Sequence, residues 1–367
     1  MQASFSTSYK AILQKIETIN PLAYGKTRNY VHGDVTYLSP YISRGVISTK
    51  QVLSSIIRRG FTLYETEQLV KELAWRDYFQ RVGQTRNINE DLKSKQTEVT
   101  NFKIPSAVLN ATTTIKGIDV SILNLLETGY MHNHCRMYTA SLICNLAKSH
   151  WLAPAKWMYY YLLDGDWASN ACSWQWVAGC NSNKKYFASQ ENVSKFTNEI
   201  QQSSYLDVVY NDPLNIATPS ILEQTSTVNL LTHLPASSDC KIVQSNPTFI
   251  YNYYNLDPLW HMEEEGNRIL LLEPSHFLEY PISPKCIDFM LALAKNISAI
   301  QIYVGEFDEF VNKYQVQNIY YKEHPFNKHY IGFEESREWI CNTIIGYFPS
   351  FFAYWKQIEK EVKKQFS

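Results

Sequence analysis

Residues 130–137 read Tyr-Met-His-Asn-His-Cys-Arg-Met, residues 164–170 read Asp-Gly-Asp-Trp-Ala-Ser-Asn, and residues 173–176 read Ser-Trp-Gln-Trp. Polar groups in that order between aromatics are hard to explain as core packing. On a helix, Asn133, Arg136 and Met137 fall at i, i+3 and i+4 and share one face. Asp164 and Asp166 flank a glycine, which permits a sharp turn that brings two carboxylates close together. Asp166, Asn170 and Trp174 continue at i, i+4 and i+8, again one helix face, with Trp176 just beyond. An arginine, two carboxylates, an asparagine and two tryptophans in one short segment suit a large, flat aromatic ligand with polar edges.

Outward from that segment, the bulk properties set limits. A chain of 367 residues is long enough for two domains, each with its own core. The net charge of −1 conceals a segregation. Residues 1–200 carry 22 Lys/Arg against 15 Asp/Glu, whereas residues 201–367 carry 12 against 20. A basic half joined to an acidic half points to two domains, the basic one able to meet a polyanion. The seven cysteines are odd in number and contain no CxxC pair. That argues against a disulfide framework or a zinc ribbon and fits a reducing cytosol, so no metal is expected. No basic region followed by an apolar stretch opens the chain, and no apolar run approaches the length of a membrane span. The expectation is a cytoplasmic monomer away from membranes.

The first 200 residues read as mostly helical. Ser48-Thr49-Lys50-Gln51 is a capping box before a periodic run through Val52, Leu53, Ile56 and Ile57. Thr62 to Glu65 repeats the signal and opens a long helix on which Glu72, Trp75, Arg76 and Phe79 share a mixed polar and aromatic face. Residues 83–117 are polar and weakly periodic, a long connection. Helices are expected again at 118–128, 134–150 and near 155–163. From residue 201 to 228 a polar, proline-containing stretch reads as a linker. Beyond it lie β-rich runs at Asn229–Leu234, Arg268–Leu272, Ala299–Val304 and Asn318–Tyr321, with helical periodicity over Ser283–Ile297. Strand–helix–strand alternation at this spacing predicts a parallel α/β sheet in 229–367.

Leu38-Ser39-Pro40-Tyr41, Glu72-Leu73-Ala74-Trp75-Arg76-Asp77 and the 130–176 segment stand in the order of the flavin domain of the photolyase/cryptochrome family. The chain resembles that family over about residues 24–187, most closely the cyclobutane pyrimidine dimer DNA photolyases. The resemblance implies an all-α FAD-binding domain in 1–200 that holds FAD folded into a U shape. It assigns cofactor contacts to Tyr24, Thr36, Leu38, Ser39, Arg76, Asn133, Arg136, Asp164, Asp166 and Asn170. Ser39 and Arg76 look like phosphate-side residues, Arg136 and Asp164 like the ion pair beside the isoalloxazine, and Asn170 like the amide facing N5. The residue types agree: diphosphate needs cations and hydroxyls, a buried carboxylate needs a partner, and an amide can donate or accept as a flavin changes protonation. The bland alternatives are a capping Ser39, a surface Arg76 and an N-cap Asp166.

Glu72, Trp75, Asn133, Met137 and Trp176 resemble the residues lining the dimer pocket of DNA photolyases. Aromatic walls suit stacking on bases flipped from a duplex, and a carboxyl at Glu72 can bond base edges. The implied reaction is light-driven repair of DNA containing pyrimidine dimers, with Glu72, Asn170, Trp174 and Trp151 as its catalytic and electron-carrying residues. The alternative is a cryptochrome-like blue-light photoreceptor. Three departures stand out. Only Trp174 and Trp151 match the family's three-tryptophan electron chain; Trp157 or one of Tyr159, Tyr160 and Tyr161 would have to stand in for the third. Tyr130 replaces a tryptophan, and Val35-Thr36 replaces Thr-Ser. Finally, the α/β antenna domain does not precede the flavin motifs; residues 268–323 resemble it faintly, which implies a permuted order with any antenna pigment unidentified.

Overall fold

The computed structural model describes residues 4–182, 184–207 and 217–366. The chain opens with α1 (Tyr9–Glu17), α2 (Pro21–Thr27), α3 (Ser39–Ser43), α4 (Thr49–Arg58) and α5 (Leu63–Thr85). Then come β1 (Ile104–Pro105), α6 (Ser106–Leu109), α7 (Lys116–Thr128), α8 (Asn133–Ser141), α9 (Leu152–Tyr161), α10 (Trp167–Ala178) and α11 (Gln190–Thr197). The remainder comprises β2 (Thr225–Ser226), β3 (Thr248–Tyr251), β4 (Asn267–Leu272), α12 (Pro274–Glu279), α13 (Pro284–Ala294), β5 (Ile300–Val304), α14 (Phe307–Tyr314), β6 (Ile319–Lys322), β7 (Phe333–Glu335) and α15 (Phe351–Gln365).

Two compact units emerge. The first contains the described residues of Met1–Ser4, Asn20–Val35 and Thr85–Asn229, and the second those of Phe5–Ile19, Thr36–Gln84 and Leu230–Ser367. These units cut across the expected division into 1–200, 201–228 and 229–367. The reason lies in what covers α3 to α5 within the second unit. Trp75 stacks on Phe351 of α15 at 4.0 Å between ring centres, 10° from parallel. Asp77 accepts the Ile340 backbone N–H at 2.9 Å, and the Arg81 guanidinium lies 3.7 Å from the centre of the Trp339 ring. The apolar and aromatic sides of these N-terminal helices are thus buried by C-terminal residues.

Among its described residues, the strands of the first unit are the short antiparallel pair of β1 and β2, in which Ile104 faces Ser226. Helix α7 ends on Gly129, whose φ of 76° an L side chain would resist. The helix expected over 134–150 is shorter: α8 passes into a π-helical turn, Leu142–Leu146, and stops before His150. The expected linker folds where it is described. Leu206 and Leu222 are buried, and the Tyr205 hydroxyl donates to the Thr113 carbonyl at 3.0 Å. Residues 208–216, inside that linker, lie outside the described residues.

In the second unit the capping box of α4 is present as the sequence predicts, with Ser48 and Gln51 each bonding the other's backbone N–H. The sheet is parallel throughout, in the order β5-β4-β3-β6-β7. From β3 the chain steps outward through β4 and β5, then returns to place β6 and β7 on the other side of β3. Ile250, Ile269, Leu271, Tyr303, Phe310, Ile319 and Tyr321 form the core against α14. The strands expected at 268–272, 299–304 and 318–321 and the helix at 283–297 all form, within a few residues. The strand expected at Asn229–Leu234 does not. There Thr232 bonds sideways to Ile282, accepting its N–H at 2.7 Å and donating to its carbonyl at 3.2 Å, and Leu231 faces solvent. The central strand is instead Thr248–Tyr251, buried at all four residues.

Candidate functional site

In the first unit, α8 and the turn before α10 place the opening segment's charges together. One Arg136 nitrogen donates to both Asp164 oxygens, at 3.0 and 2.9 Å, and Nε donates to the Met131 carbonyl at 2.8 Å. The Asp164 side chain is 4% exposed and that of Arg136 21%, so a buried carboxylate is balanced by a half-open cation. Gly165 is required by close approach: a Cβ there would lie 2.9 Å from the Leu162 carbonyl oxygen. Asp166 is the N-cap of α10, its side chain accepting the Ser169 N–H at 2.8 Å. One turn on, Asn170 Nδ2 donates to the Ala155 carbonyl at 2.8 Å, which orients the amide and leaves Oδ1 as its remaining acceptor.

The other predicted positions of this unit differ in exposure. Trp151 and Trp174 are buried, Met137 and Tyr24 half-buried, and Asn133 exposed. Trp176 is 41% exposed and packs against Tyr186 at 5.8 Å. His132 caps α8, accepting the His134 N–H and bonding the Arg28 carbonyl. Burial, and after it the nearby His134, pushes its pKa down to about 4, so it is neutral near pH 7.

The second unit contains Thr36, Leu38, Ser39, Glu72, Trp75 and Arg76. Ser39 begins α3 behind Leu38, with no side-chain cap, so the capping alternative for Ser39 is not what the fold shows. Arg76 is half-buried and donates to Ser43 Oγ at 2.8 Å. Trp75 has one face against Phe351 and lies 5.1 Å from Phe79. Asp77 is buried, accepts from Thr49 Oγ1 and from the Ile340 N–H, and has its pKa raised by burial to about 6. Also in this unit, the fully buried Arg44 lays its guanidinium 3.3 Å from the Tyr253 ring centre.

Sequence reasoning missed Phe351, Arg44 and Asp91. Asp91 Oδ1 accepts the Trp151 indole N–H at 2.7 Å. Its lone sequence signal was a carboxylate inside the polar 83–117 connection. Phe351 carried none at Trp75, 276 positions away in a chain numbered 1–367. All seven cysteines are buried and unbridged. Among the described residues no helix is long and apolar enough to cross a membrane.

Residues 69–209 match the family model described as the FAD binding domain of DNA photolyase. A deoxyribodipyrimidine photo-lyase of Alkalihalophilus pseudofirmus is 31% identical over 152 residues, 38% of this chain and 30% of that protein. A cryptochrome DASH of Ostreococcus tauri is 29% identical over 191 residues, 48% of this chain and 34% of that protein. A Synechocystis cryptochrome structure is 21% identical over 53% of this chain and 44% of that one, with a TM-score of 0.46. The chain spans about a third of the length of the curated relatives it matches. Over residues 69–209 the chain is therefore similar to the FAD binding domain of DNA photolyases, whose cofactor is FAD. The residues present fit that cofactor chemically: an arginine held by a buried carboxylate offers a cation, and an oriented amide offers a free acceptor.

Proposed function

We propose that the protein repairs cyclobutane pyrimidine dimers in DNA by light-driven electron transfer from reduced FAD, acting as a deoxyribodipyrimidine photo-lyase. The observation that carries this reading is the Arg136–Asp164 pair with Asn170 one turn beyond the following N-cap, in a segment of the photolyase FAD family. Reduced, photoexcited FAD supplies one electron when bound, and the same electron returns after the dimer ring has split. The chain's residues bind and orient. Arg136 and Asp164 set charge at the flavin edge, Asn170 Oδ1 accepts a ring N–H, and Asp166 fixes the start of α10. Thr36, Leu38, Ser39, Arg76, Asn133 and Tyr24 are proposed as further cofactor contacts, each tested by substitution and flavin content. Glu72 hydrogen-bonds base edges, while Met137, Asn133, Trp75 and Trp176 contact the flipped bases. The basic excess of residues 1–200 meets DNA phosphates, so binding falls steeply with salt. Residues 229–367 are proposed as a permuted antenna-like domain.

One observation favours a second reading, a cryptochrome-like photoreceptor. One face of Trp75 is covered by the Phe351 ring, leaving less of it for a base. Two measurements separate the readings: the absorption spectrum of the purified protein, then illumination of the reduced form with dimer-containing DNA. Dimer loss supports repair; a flavin spectrum with intact dimers supports the photoreceptor.

A further inference from the structure

The stretch 89–96 supplies hydrogen-bond acceptors to two buried tryptophans of the first unit, and the two acceptors differ in charge. Trp167 Nε1 donates to Asn89 Oδ1 at 2.7 Å, a neutral amide. Trp151 Nε1 donates at the same distance to Asp91 Oδ1, a carboxylate. Any buried indole needs an acceptor, and an amide satisfies that need at Trp167. A carboxylate adds something an amide does not: a negative charge beside the ring and a base for its proton. The local geometry holds Asp91 firmly in place. Its Oδ2 accepts the Gln96 N–H at 2.8 Å, while Gln96 Oε1 accepts the backbone N–H of Trp151 at 3.0 Å. Asp91, Gln96 and Trp151 thus form a closed ring of hydrogen bonds.

The neighbours of Asp91 connect the site to solvent. Trp151 is fully buried, but the Asp91 side chain is 18% exposed and the His150 imidazole, 3.9 Å away, is 21% exposed. His150 stacks on the exposed Phe102. On the inner side lies the buried Cys180 thiol, pushed up first by burial and then by the charge of Asp91. His150, Cys180 and Trp151 are titratable or oxidisable groups beside this carboxylate.

We propose that Asp91 is a positioning residue for electron supply, taking the indole proton of Trp151 when that ring is oxidised. The proposal rests on the reading of Trp174 and Trp151 as the electron path to the flavin. Trp174 passes one electron toward photoexcited oxidised FAD and regains one from Trp151. As Trp151 loses its electron, the Nε1–H proton moves to Asp91 Oδ1, leaving a neutral indolyl radical and a carboxylic acid. A thiol from solution then returns one electron to Trp151, and Asp91 returns the proton. A two-tryptophan chain can therefore end at Trp151, because the hole is trapped there as a neutral radical. No third tryptophan is required.

The test uses the full-length, FAD-loaded protein and Asp91→Asn, Asp91→Glu, Trp151→Phe and Trp174→Phe. Asparagine keeps an acceptor and removes the charge; glutamate keeps the charge. Transient absorption after a flash should show a neutral tryptophan radical in the wild type, none in Trp151→Phe, and a shorter-lived radical cation in Asp91→Asn. Photoreduction should slow by about tenfold in Asp91→Asn, from loss of a nearby charge in the interior, and recover in Asp91→Glu, with flavin content unchanged in both. In the dark, the Trp151 indole N–H resonance should move upfield in Asp91→Asn, while that of Trp167 stays in place. A neutral radical of wild-type yield in Asp91→Asn would overturn the proposal. Unchanged photoreduction in both tryptophan variants would instead overturn the underlying electron path.

Discussion

The two units place buried carboxylates in contrasting company. In the first, Asp164 is matched by Arg136, a cation that remains partly open to its surroundings. In the second, Asp77 is held by a hydroxyl and a backbone N–H, and burial raises its pKa to about 6. The first arrangement leaves a charge pair partly open, as the proposed flavin contact requires. The second ties α4, α5 and residue 340 together, a latch within the fold. Both carboxylates belong to motifs that resemble the same family, so motif membership alone does not tell a ligand contact from a structural tie. The partner does.

The largest expected effect comes from breaking the Arg136–Asp164 pair, the proposed flavin contact. Arg136→Ala leaves Asp164 as a buried, uncompensated charge, a cost of about 3–5 kcal/mol. Purified Arg136→Ala should lose most of its flavin absorbance, whereas Asp77→Asn should keep it. Full flavin retention in Arg136→Ala would erase the distinction between the two carboxylates.

Phe351→Ala sharpens the same comparison from the other side. Phe351 is 2% exposed and stacked on Trp75, and truncating a core phenylalanine costs about 3–5 kcal/mol. Denaturant unfolding should show that loss. Cutting off α15 should then destabilise α5, although α5 begins almost 290 residues earlier in the sequence. If Phe351→Ala unfolds at the wild-type midpoint, the burial of α5 by C-terminal residues is wrong.

What was legible in the sequence follows the range of each signal. The Ser48–Gln51 box and the Asp166 cap are local, three residues across, and both appear in the fold. The Arg136–Asp164 pair was legible because the motif carried it across 28 positions. The central strand Thr248–Tyr251 was not: a four-residue run buried on both faces has no alternation to read, whereas the leucine-containing Asn229–Leu234 run attracted the assignment. Asp91 and Phe351 were invisible because their meaning depends on partners 60 and 276 positions away, within stretches lacking any motif. Ser39 and Arg76 both fall in the second unit, yet nothing local in the sequence indicated that α3 to α5 would pack with C-terminal residues.

A smaller effect tests the exposed aromatic of the first unit against the covered one of the second. Trp176 is exposed and Trp75 is stacked on Phe351. Trp176→Ala should weaken binding of dimer-containing DNA by about 1–3 kcal/mol, the loss of one base–aromatic stack. Binding of undamaged DNA should be nearly unchanged, since phosphate contacts dominate there. A titration showing equal losses on both DNA types would mark Trp176 as a stability residue.

The smallest effect is in pH, where the two units should differ in sign. His132 has its pKa lowered to about 4 from 6.5, so the unfolded chain binds the proton more tightly, and this group loses stability as pH falls from about 6.5 to 4. Asp77 has its pKa raised to about 6 from 3.8, so the folded chain binds the proton more tightly, and this group gains stability as pH falls from about 6 to 4. Chemical denaturation between pH 4 and 7 should therefore show a weaker acid loss in His132→Gln and a stronger one in Asp77→Asn. Identical slopes in both variants would remove the contrast.

The most direct test of repair mixes the reduced, FAD-bound protein with a defined oligonucleotide holding one cyclobutane dimer, illuminates it with blue light, and counts remaining dimers. Dimers should disappear in the light and persist in the dark, with Glu72→Gln binding the DNA but repairing less per photon. Dimers that remain intact while the flavin is bound, reduced and illuminated would contradict the repair function.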